Sequence, residues 1–314
     1  MARETILFDL PAIYPEIPAY RAAVQARNWP AARAIYDGAP SWELRQMLVD
    51  DASQLPGVEM FLRDVLTYDP HDPVAATLLG ARLVTLGWEA RTARRAKYVS
   101  ERRFAIFHDH LRQAEAVLAP LCERDPVNPP AWRERIKIAR GLQLGIDEAH
   151  RRYEELSKHV PHYLPAQRSM MQNIHPKWGG SFSLLHSFAA TCTEAAPPGA
   201  NSGLLVVEAH LETYLKLPIR EMSAYLESDA TKRSMYAAAE RSVFHTSFGR
   251  TIGWISALSW FALGFTLIKD WPKAKRCFML LGNYGDDEAW LHGSLGFNAR
   301  KNFLRARETA MRKG

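Results

Sequence analysis

The sequence predicts an all-α fold, and three observations support this prediction. Amphipathic stretches rich in Ala, Leu, Arg and Glu recur with helical spacing along the chain. Runs of alternating β-branched residues, which are typical of strands, are missing from the sequence. Short segments containing Pro, Gly and Asp separate the periodic stretches, as expected for turns between helices.

The composition is close to that of an average globular protein. The 314 residues are 47% apolar and 24% charged, enough for one large domain or two ordinary ones. Three widely spaced cysteines without a CxxC pair argue against a disulfide framework and against a zinc site. The first residues lack the long apolar core of a signal peptide. We therefore expect a cytoplasmic protein.

The net charge of +6 is concentrated near the end of the chain. Residues 299–314 contain six basic residues and one acid, so they contribute +5 and the rest is near neutral. A nucleic-acid-binding face would need a basic stripe along the body of the protein. Nucleic acid is therefore an unfavoured partner, and the basic C-terminal helix is the one segment that keeps it as an alternative.

A period close to that of a known helical repeat runs through the periodic stretches. Pro126 and Pro161, which each follow such a stretch, are 35 residues apart. In a stack of helix pairs, small residues lie where helices cross and larger apolar ones fill the gap to the next pair. The spacing expected of a second helix and its closing proline is matched by Val58, Leu62, Val65 and Pro70, by Ala114, Leu118, Leu121 and Pro126, and by Ala149, Tyr153, Leu156 and Pro161. The spacing expected of a first helix is matched by Trp260, Leu263, Gly264 and Leu267, with Ala274, Phe278 and Leu281 behind it, and more loosely by Ala76, Leu79, Gly80 and Leu83.

On these motifs the chain resembles tetratricopeptide (TPR)-like helical-repeat proteins over most of its length. The segments "PKWGGS" and "DPHDPVAATLLGARLVTLGW" also resemble a bacterial family, most familiar from actinobacteria, to which no activity is attached. The resemblance implies a right-handed α–α superhelix of antiparallel helix pairs. It implies no reaction.

The repeat pattern divides the chain into two regions of one continuous solenoid. Residues 1–196 carry TPR-like repeats, and residues 197–314 end in a TPR-like pair and a basic helix. Residues 197–249 depart from the repeat, with helices expected near 201–217 and 230–247. The uncharged segment Thr251–Ile268 approaches the length of a membrane span, but its first-helix pattern predicts a buried helix of the stack.

An insertion near residues 88–103 interrupts the repeat with six basic residues and two acids. One interpretation is a pair of longer helices that protrude from the stack with a solvated charged face. The other is a docking arm for an acidic peptide or anionic ligand, with aromatic anchors between the basic residues. The candidate binding residues of this arm are Trp88, Arg91, Arg94, Arg95, Lys97 and Tyr98.

The segment "HPKWGGS", residues 175–181, has both a structural and a functional interpretation. A proline and two glycines predict a corner between helices, with Trp178 covering the end of the local core. In the repeat frame Ser181, Leu185 and Phe188 take the second-helix positions. In the functional interpretation, glycine-backed amides at a helix start receive an anion, and His175, Lys177 and Trp178 become candidate binding residues.

The other histidines do not form a metal motif. His108 and His110 are two residues apart and cannot share an ion on a regular helix, so His110 is expected to be a satisfied, buried side chain. His210 is expected to oppose Glu208 and Glu212 on its helix for the same reason. GxSxG, HExxH, P-loop and Rossmann patterns are absent from the sequence, so we expect no metal and no cofactor.

The sequence thus favours a non-catalytic helical-repeat protein that binds a peptide or partner protein on its concave face. The candidate residues are those of the insertion and the corner, together with His110. The first alternative is an enzyme of unknown reaction, of the kind found in specialised metabolism. Its pocket would lie between the repeats, near His110, His175, Glu208 and His210. Nucleic-acid binding through the basic C-terminal helix is the second.

Overall fold

The computed structural model describes residues 6–8, 13–92, 98–293 and 298–314. Within these ranges every regular element is a helix, and the only extended pairing is an isolated bridge between Leu7 and Tyr284. The prediction of an all-α fold is confirmed. The contacts divide the chain into an amino-terminal unit, residues 14–180, and a carboxy-terminal unit, residues 181–314 with residues 1–13. The sequence pattern placed its division after residue 196, and the contacts place theirs after Gly180.

Nine α-helices build the described part of the amino-terminal unit. They are α1 Glu16–Gln25, α2 Trp29–Gly38, α3 Trp42–Ala52, α4 Val58–Tyr68, α5 Pro73–Arg91, α6 Glu101–Arg124, α7 Pro129–Gly141, α8 Ile146–His159 and α9 Leu164–Asn173. Consecutive helices pack as pairs, most extensively α5 with α6. The odd-numbered helices α3, α5, α7 and α9 also contact one another, whereas α4, α6 and α8 pack on the outside of this inner group.

Two glycines lie at close approaches between helices of this unit. A Cβ placed on Gly80 of α5 would lie 2.5 Å from Leu118 of α6. A Cβ on Gly141 of α7 would lie 2.3 Å from Leu111 of the same α6. At these distances an added methyl group would force the leucine side chains to shift, so glycine at both positions favours the close approach of α5 and α7 to α6. The second-helix positions of the pattern are buried here except Tyr153, which is half-buried.

Eight α-helices build the described part of the carboxy-terminal unit. They are α10 Phe182–Ala195, α11 Leu204–Tyr214, α12 Ile219–Glu227, α13 Asp229–Arg241, α14 Trp254–Leu267, α15 Trp271–Leu281, α16 Asp287–Gly293 and α17 Ala299–Lys313. Most of α11 and α14 is buried, and these two helices contact each other. Around them pack α10, α12 and α13 on α11, and α15, α16 and α17 on α14.

Two details of this unit differ from the sequence pattern. A Cβ on Gly264 would first meet Val207 of α11 at 2.9 Å, so this glycine faces α11 instead of its own partner α15. The helices expected near 201–217 and 230–247 end earlier, at Tyr214 and Arg241, and the separate helix α12 was not predicted. Pro218 explains why the helix expected near 201–217 ends early. A proline has no amide hydrogen, so it interrupts the helical hydrogen bonding directly before α12.

None of the helices in the described ranges is long and apolar enough to cross a bilayer. The uncharged segment Thr251–Ile268, whose length approaches that of a membrane span, contains α14, which is 14 residues long.

Candidate functional site

Two tryptophans meet at one end of the amino-terminal unit. Trp88 lies in the last turn of α5, and Trp178 lies in the short 3-10 helix Pro176–Trp178. Their ring centroids are 6.0 Å apart with an interplanar angle of 88°, an edge-to-face arrangement. Phe107 of α6 packs against Trp88 from another direction at 4.8 Å. The result is an aromatic wall formed by three separate segments.

Two guanidinium groups lie against this aromatic wall. The Arg140 guanidinium carbon, on α7, is 5.0 Å from the Trp88 ring and 5.5 Å from the Trp178 ring. Arg91, at the end of α5, is 5.6 Å from each ring. All four distances fall within the range of cation–π attraction. We call Trp88, Arg91, Arg140 and Trp178 the tryptophan–arginine cluster.

The corner motif places Trp178 in the cluster. His175, which is 1% exposed, starts the 3-10 turn and accepts a hydrogen bond on Nδ1 from the Lys177 amide at 3.1 Å. Gly179 follows with φ +96°, and a Cβ on Gly180 would lie 1.7 Å from the Ile174 carbonyl oxygen. The chain can therefore double back here only with glycine at both positions. This geometry supports the structural interpretation of the motif.

Ser181 does not occupy a buried second-helix position. It is exposed and is the N-cap of α10, where its Oγ accepts a hydrogen bond from the Leu184 amide. Leu185 and Ala189 form the buried stripe of α10, and Phe188 is half-buried. The assumed repeat position is wrong for Ser181, because a serine before a helix satisfies free amides more readily than it fills a core.

The cluster carries positive charge without a matching acid. Neither Arg91 nor Arg140 has a carboxylate within ion-pair distance among the described residues, and Arg91 donates to the Thr92 carbonyl instead. Burial, followed by the charge of Arg133, lowers the pKa of Arg140 to about 10. The charged form of Arg140 is thus less stabilised by its surroundings than a solvated arginine would be.

Several buried N–H groups in the cluster also lack an acceptor. They are Arg140 Nε, Trp88 Nε1 and Trp178 Nε1. Buried donors are almost always paired in folded proteins, so three unpaired donors on side chains in mutual contact are unusual. Missing acceptors and missing negative charge occur at the same place.

A second set of polar side chains lies on α7, on the amino-terminal side of Arg140. In this set the positive charges are paired with negative ones. Arg133 pairs with Asp50 of α3, and Lys137 Nζ is 2.7 Å from Oε2 of the fully buried Glu134. Tyr163, directly before α9, donates to Gln46 Oε1 at 3.0 Å. Burial lowers the pKa of Lys137, and Glu134 opposes this change. These pairs join α3, α7 and α9, which marks the group as a polar core of the inner helices.

Three of the cluster residues, Trp88, Arg91 and Trp178, are candidates predicted from the sequence, whereas Arg140 was not predicted. The available signal was the spacing Arg133, Lys137, Arg140, which puts three basic residues on one face of α7. That signal points to a face, but it does not indicate which distant residues the face would meet.

The remaining candidates are dispersed. Tyr98, which lies just before α6, has 63% of its surface exposed. Lys177, next to Trp178 in the chain, is also exposed. His110 is half-buried and its Nδ1 has no hydrogen-bond partner, so the expectation of a satisfied, buried histidine is wrong. Three further candidates lie outside the described residues: Arg94, Arg95 and Lys97.

A different polar chain is found in the carboxy-terminal unit. Thr213 donates to the Ala209 carbonyl, so its oxygen accepts from His186 Nε2 at 2.9 Å. His186 Nε2 therefore carries a proton and also approaches the Tyr225 hydroxyl at 3.3 Å. The Tyr225 hydroxyl also forms a hydrogen bond of 2.7 Å with His210 Nδ1. The other ring nitrogen of His210, Nε2, is buried and has no hydrogen-bond partner among the described residues.

The neighbouring acids face elsewhere. Glu212 Oε1 is 3.2 Å from His292 Nε2, on the opposite side of α11 from His210. Within the described ranges no three His, Cys, Asp or Glu side chains are grouped to hold a metal ion. The four histidines and acids named for the enzymatic alternative are divided between the two units, His110 and His175 in one, Glu208 and His210 in the other.

Comparisons with known proteins give no relative. No family model, no curated protein and no solved structure matches the chain.

Proposed function

We propose that this chain is a non-catalytic TPR-like helical-repeat protein that binds a peptide or partner protein. The proposal places binding in the amino-terminal unit, at the tryptophan–arginine cluster. It also includes the right-handed superhelical stacking of the helix pairs and the concave face that such stacking creates.

One observation carries this proposal: two half-buried arginines without acidic partners lie against two tryptophans. Tryptophan and arginine dominate the energetics of protein interfaces, where they serve as anchors in desolvated pockets. A stability role alone does not explain two adjacent guanidinium groups, since like charges repel. An acidic partner would remove this repulsion.

The helix contacts support binding on the inner side of the unit. α7, which supplies Arg140, contacts both α3 and α5 of the inner group and α6 of the outer helices. A partner that reaches Arg140 would therefore touch a helix held on three sides. Such a site requires little rearrangement on binding.

The proposal is tested by affinity purification from the native host with the whole chain and two variants. Arg91→Gln combined with Arg140→Gln removes both charges of the cluster. Arg220→Gln, at a position 86% exposed in the carboxy-terminal unit, is the matched control. We expect quantitative mass spectrometry to show a set of partners that the control retains and that the double variant recovers at least tenfold less.

The melting curves of the three proteins complete the comparison. If the double variant unfolds like the control and still recovers the same partners, the cluster is not the binding site and the proposal is wrong.

A further inference from the structure

The unpaired donors of the tryptophan–arginine cluster define the chemistry of its ligand. Arg140 Nε, Trp88 Nε1 and Trp178 Nε1 are buried N–H groups that can donate and cannot accept. A ligand group that satisfies them must offer several lone pairs within a small volume. Hydroxyl and amide groups of a partner could serve single donors, but each also brings donors of its own.

The positive charge of the cluster further limits which ligand groups can satisfy these donors. The Arg140 side chain makes no hydrogen bond or ion pair with a described residue, and its guanidinium lies against the two indole rings. The nearest buried carboxylate on the same helix, Glu134, is already paired with Arg133 and Lys137. A neutral acceptor would satisfy the donors and leave both guanidinium charges of the cluster uncompensated.

We propose that the cluster is a receptor for one compact oxyanion, a carboxylate or a phosphate group. Arg140 and Arg91 supply the charge, and the indole N–H groups of Trp88 and Trp178 supply neutral donors at the edges of the site. This deepens the proposed function, on which it rests for the source of the anion: an acidic or phosphorylated side chain of the partner. Charge-assisted hydrogen bonds to a guanidinium are short and directional, and a surrounding apolar wall strengthens them.

The anion site is testable on the full chain without a partner. The tryptophans are labelled as 5-fluorotryptophan, and the two resonances of the cluster are assigned with Trp88→Phe and Trp178→Phe. Sodium phosphate and sodium acetate are titrated separately at constant ionic strength, and sodium chloride serves as the reference salt. Fluorine NMR then reports the surroundings of each indole.

We expect the Trp88 and Trp178 resonances to shift and saturate with phosphate, with acetate or with both, and not with chloride. The salt that binds at least tenfold more tightly identifies the source as phosphorylated or acidic, and equal affinities indicate a general oxyanion site. Arg140→Gln should weaken the interaction at least tenfold, whereas Arg220→Gln should leave it unchanged. Absence of saturation with both oxyanions, or an unchanged affinity in Arg140→Gln, would overturn the proposal.

This result is separable from that of the purification experiment. Saturable anion binding together with unchanged partner recovery in the Arg91→Gln, Arg140→Gln variant would reject the proposed function and keep the receptor. If the double variant loses partners but the indole resonances of the cluster do not respond to either oxyanion, the proposal of partner binding stands and the proposal of an anion receptor is wrong.

Discussion

Individual glycines decide how closely the helices of the amino-terminal unit approach. Gly80 and Gly141 both face α6, from α5 and from α7, at distances that exclude even a methyl group. Glycine within a helix normally lowers stability by about 1 kcal/mol relative to alanine. Here that cost is offset by contacts that only glycine permits, with Leu118 and with Leu111.

Gly80→Ala should therefore destabilise the chain although alanine is the better helix former. The added methyl group would lie 2.5 Å from the Leu118 side chain, and overpacking of this kind costs about 1–3 kcal/mol. Gly38→Ala is the control, because a Cβ there meets nothing within 4 Å. Urea unfolding measures both variants. A Gly80→Ala protein as stable as the control would show that α5 and α6 can separate without loss.

Among the helices, α12 depends on polar contacts more than on burial. Leu226 is its single buried residue, and Tyr225 links it to His210 and His186. Burial, together with the neighbouring His186, lowers the pKa of His210 to about 3, and burial lowers that of His186 as well. The fold thus favours neutral imidazoles at both positions.

Acid should weaken the carboxy-terminal unit through His210. An unfolded histidine binds its proton near pH 6.5, whereas folded His210 does so only near pH 3. Between these values the unfolded state holds more protons, so the stabilisation present above pH 6.5 is lost as the pH falls. For this one group the free energy of unfolding changes by about 1.4 kcal/mol per pH unit between the two pKa values.

His210→Gln should flatten this pH dependence, measured as the free energy of unfolding between pH 7 and pH 4. His71→Gln, at an exposed turn, is the control. His292 acts in the opposite direction, because a hydrogen bond to Glu212 raises its pKa and its contribution is lost as the pH rises. An unchanged slope in His210→Gln would mean that the imidazole is not held neutral by the fold.

At the scale of the whole molecule, the excess positive charge lies on a helix that is also part of a core. α17 buries Ala299, Phe303, Ala306 and Ala310 and packs on α14, α15 and α16. Deleting residues 299–314 would therefore uncover the core of the carboxy-terminal unit. A truncation cannot separate a role in nucleic-acid binding from a role in stability.

Substitutions on the exposed side of α17 make that separation. Lys301, Arg305 and Arg312 are exposed, so changing all three to Gln should leave the melting temperature within about 2 °C. The proposed function predicts weak, salt-sensitive binding of a DNA or RNA oligonucleotide at most, which these changes would abolish. A fluorescence anisotropy titration with tight, salt-sensitive binding that the triple variant loses would instead support the nucleic-acid alternative.

The helices were predictable because their signals are local. Asp72 and Pro73 begin α5, Ser100 begins α6, and Asn128 with two prolines begins α7, each through contacts a few residues away. The buried second-helix positions follow from spacing within one helix. The ends of α11 and α13 were less predictable, since the position of Ser242 at the end of α13 depends on the distant Ala200 carbonyl, to which it donates.

By itself, the sequence of this protein determined the helical class and the glycine corner at residues 176–180. Periodicity, caps and φ preferences act between near neighbours, and the order of residues is enough to reveal them. Only the tertiary structure decided that Arg140 meets Trp88 and Trp178, and that His210 meets Tyr225 and His186. These contacts join segments distant in sequence, because the packing of whole helices sets which of their faces touch.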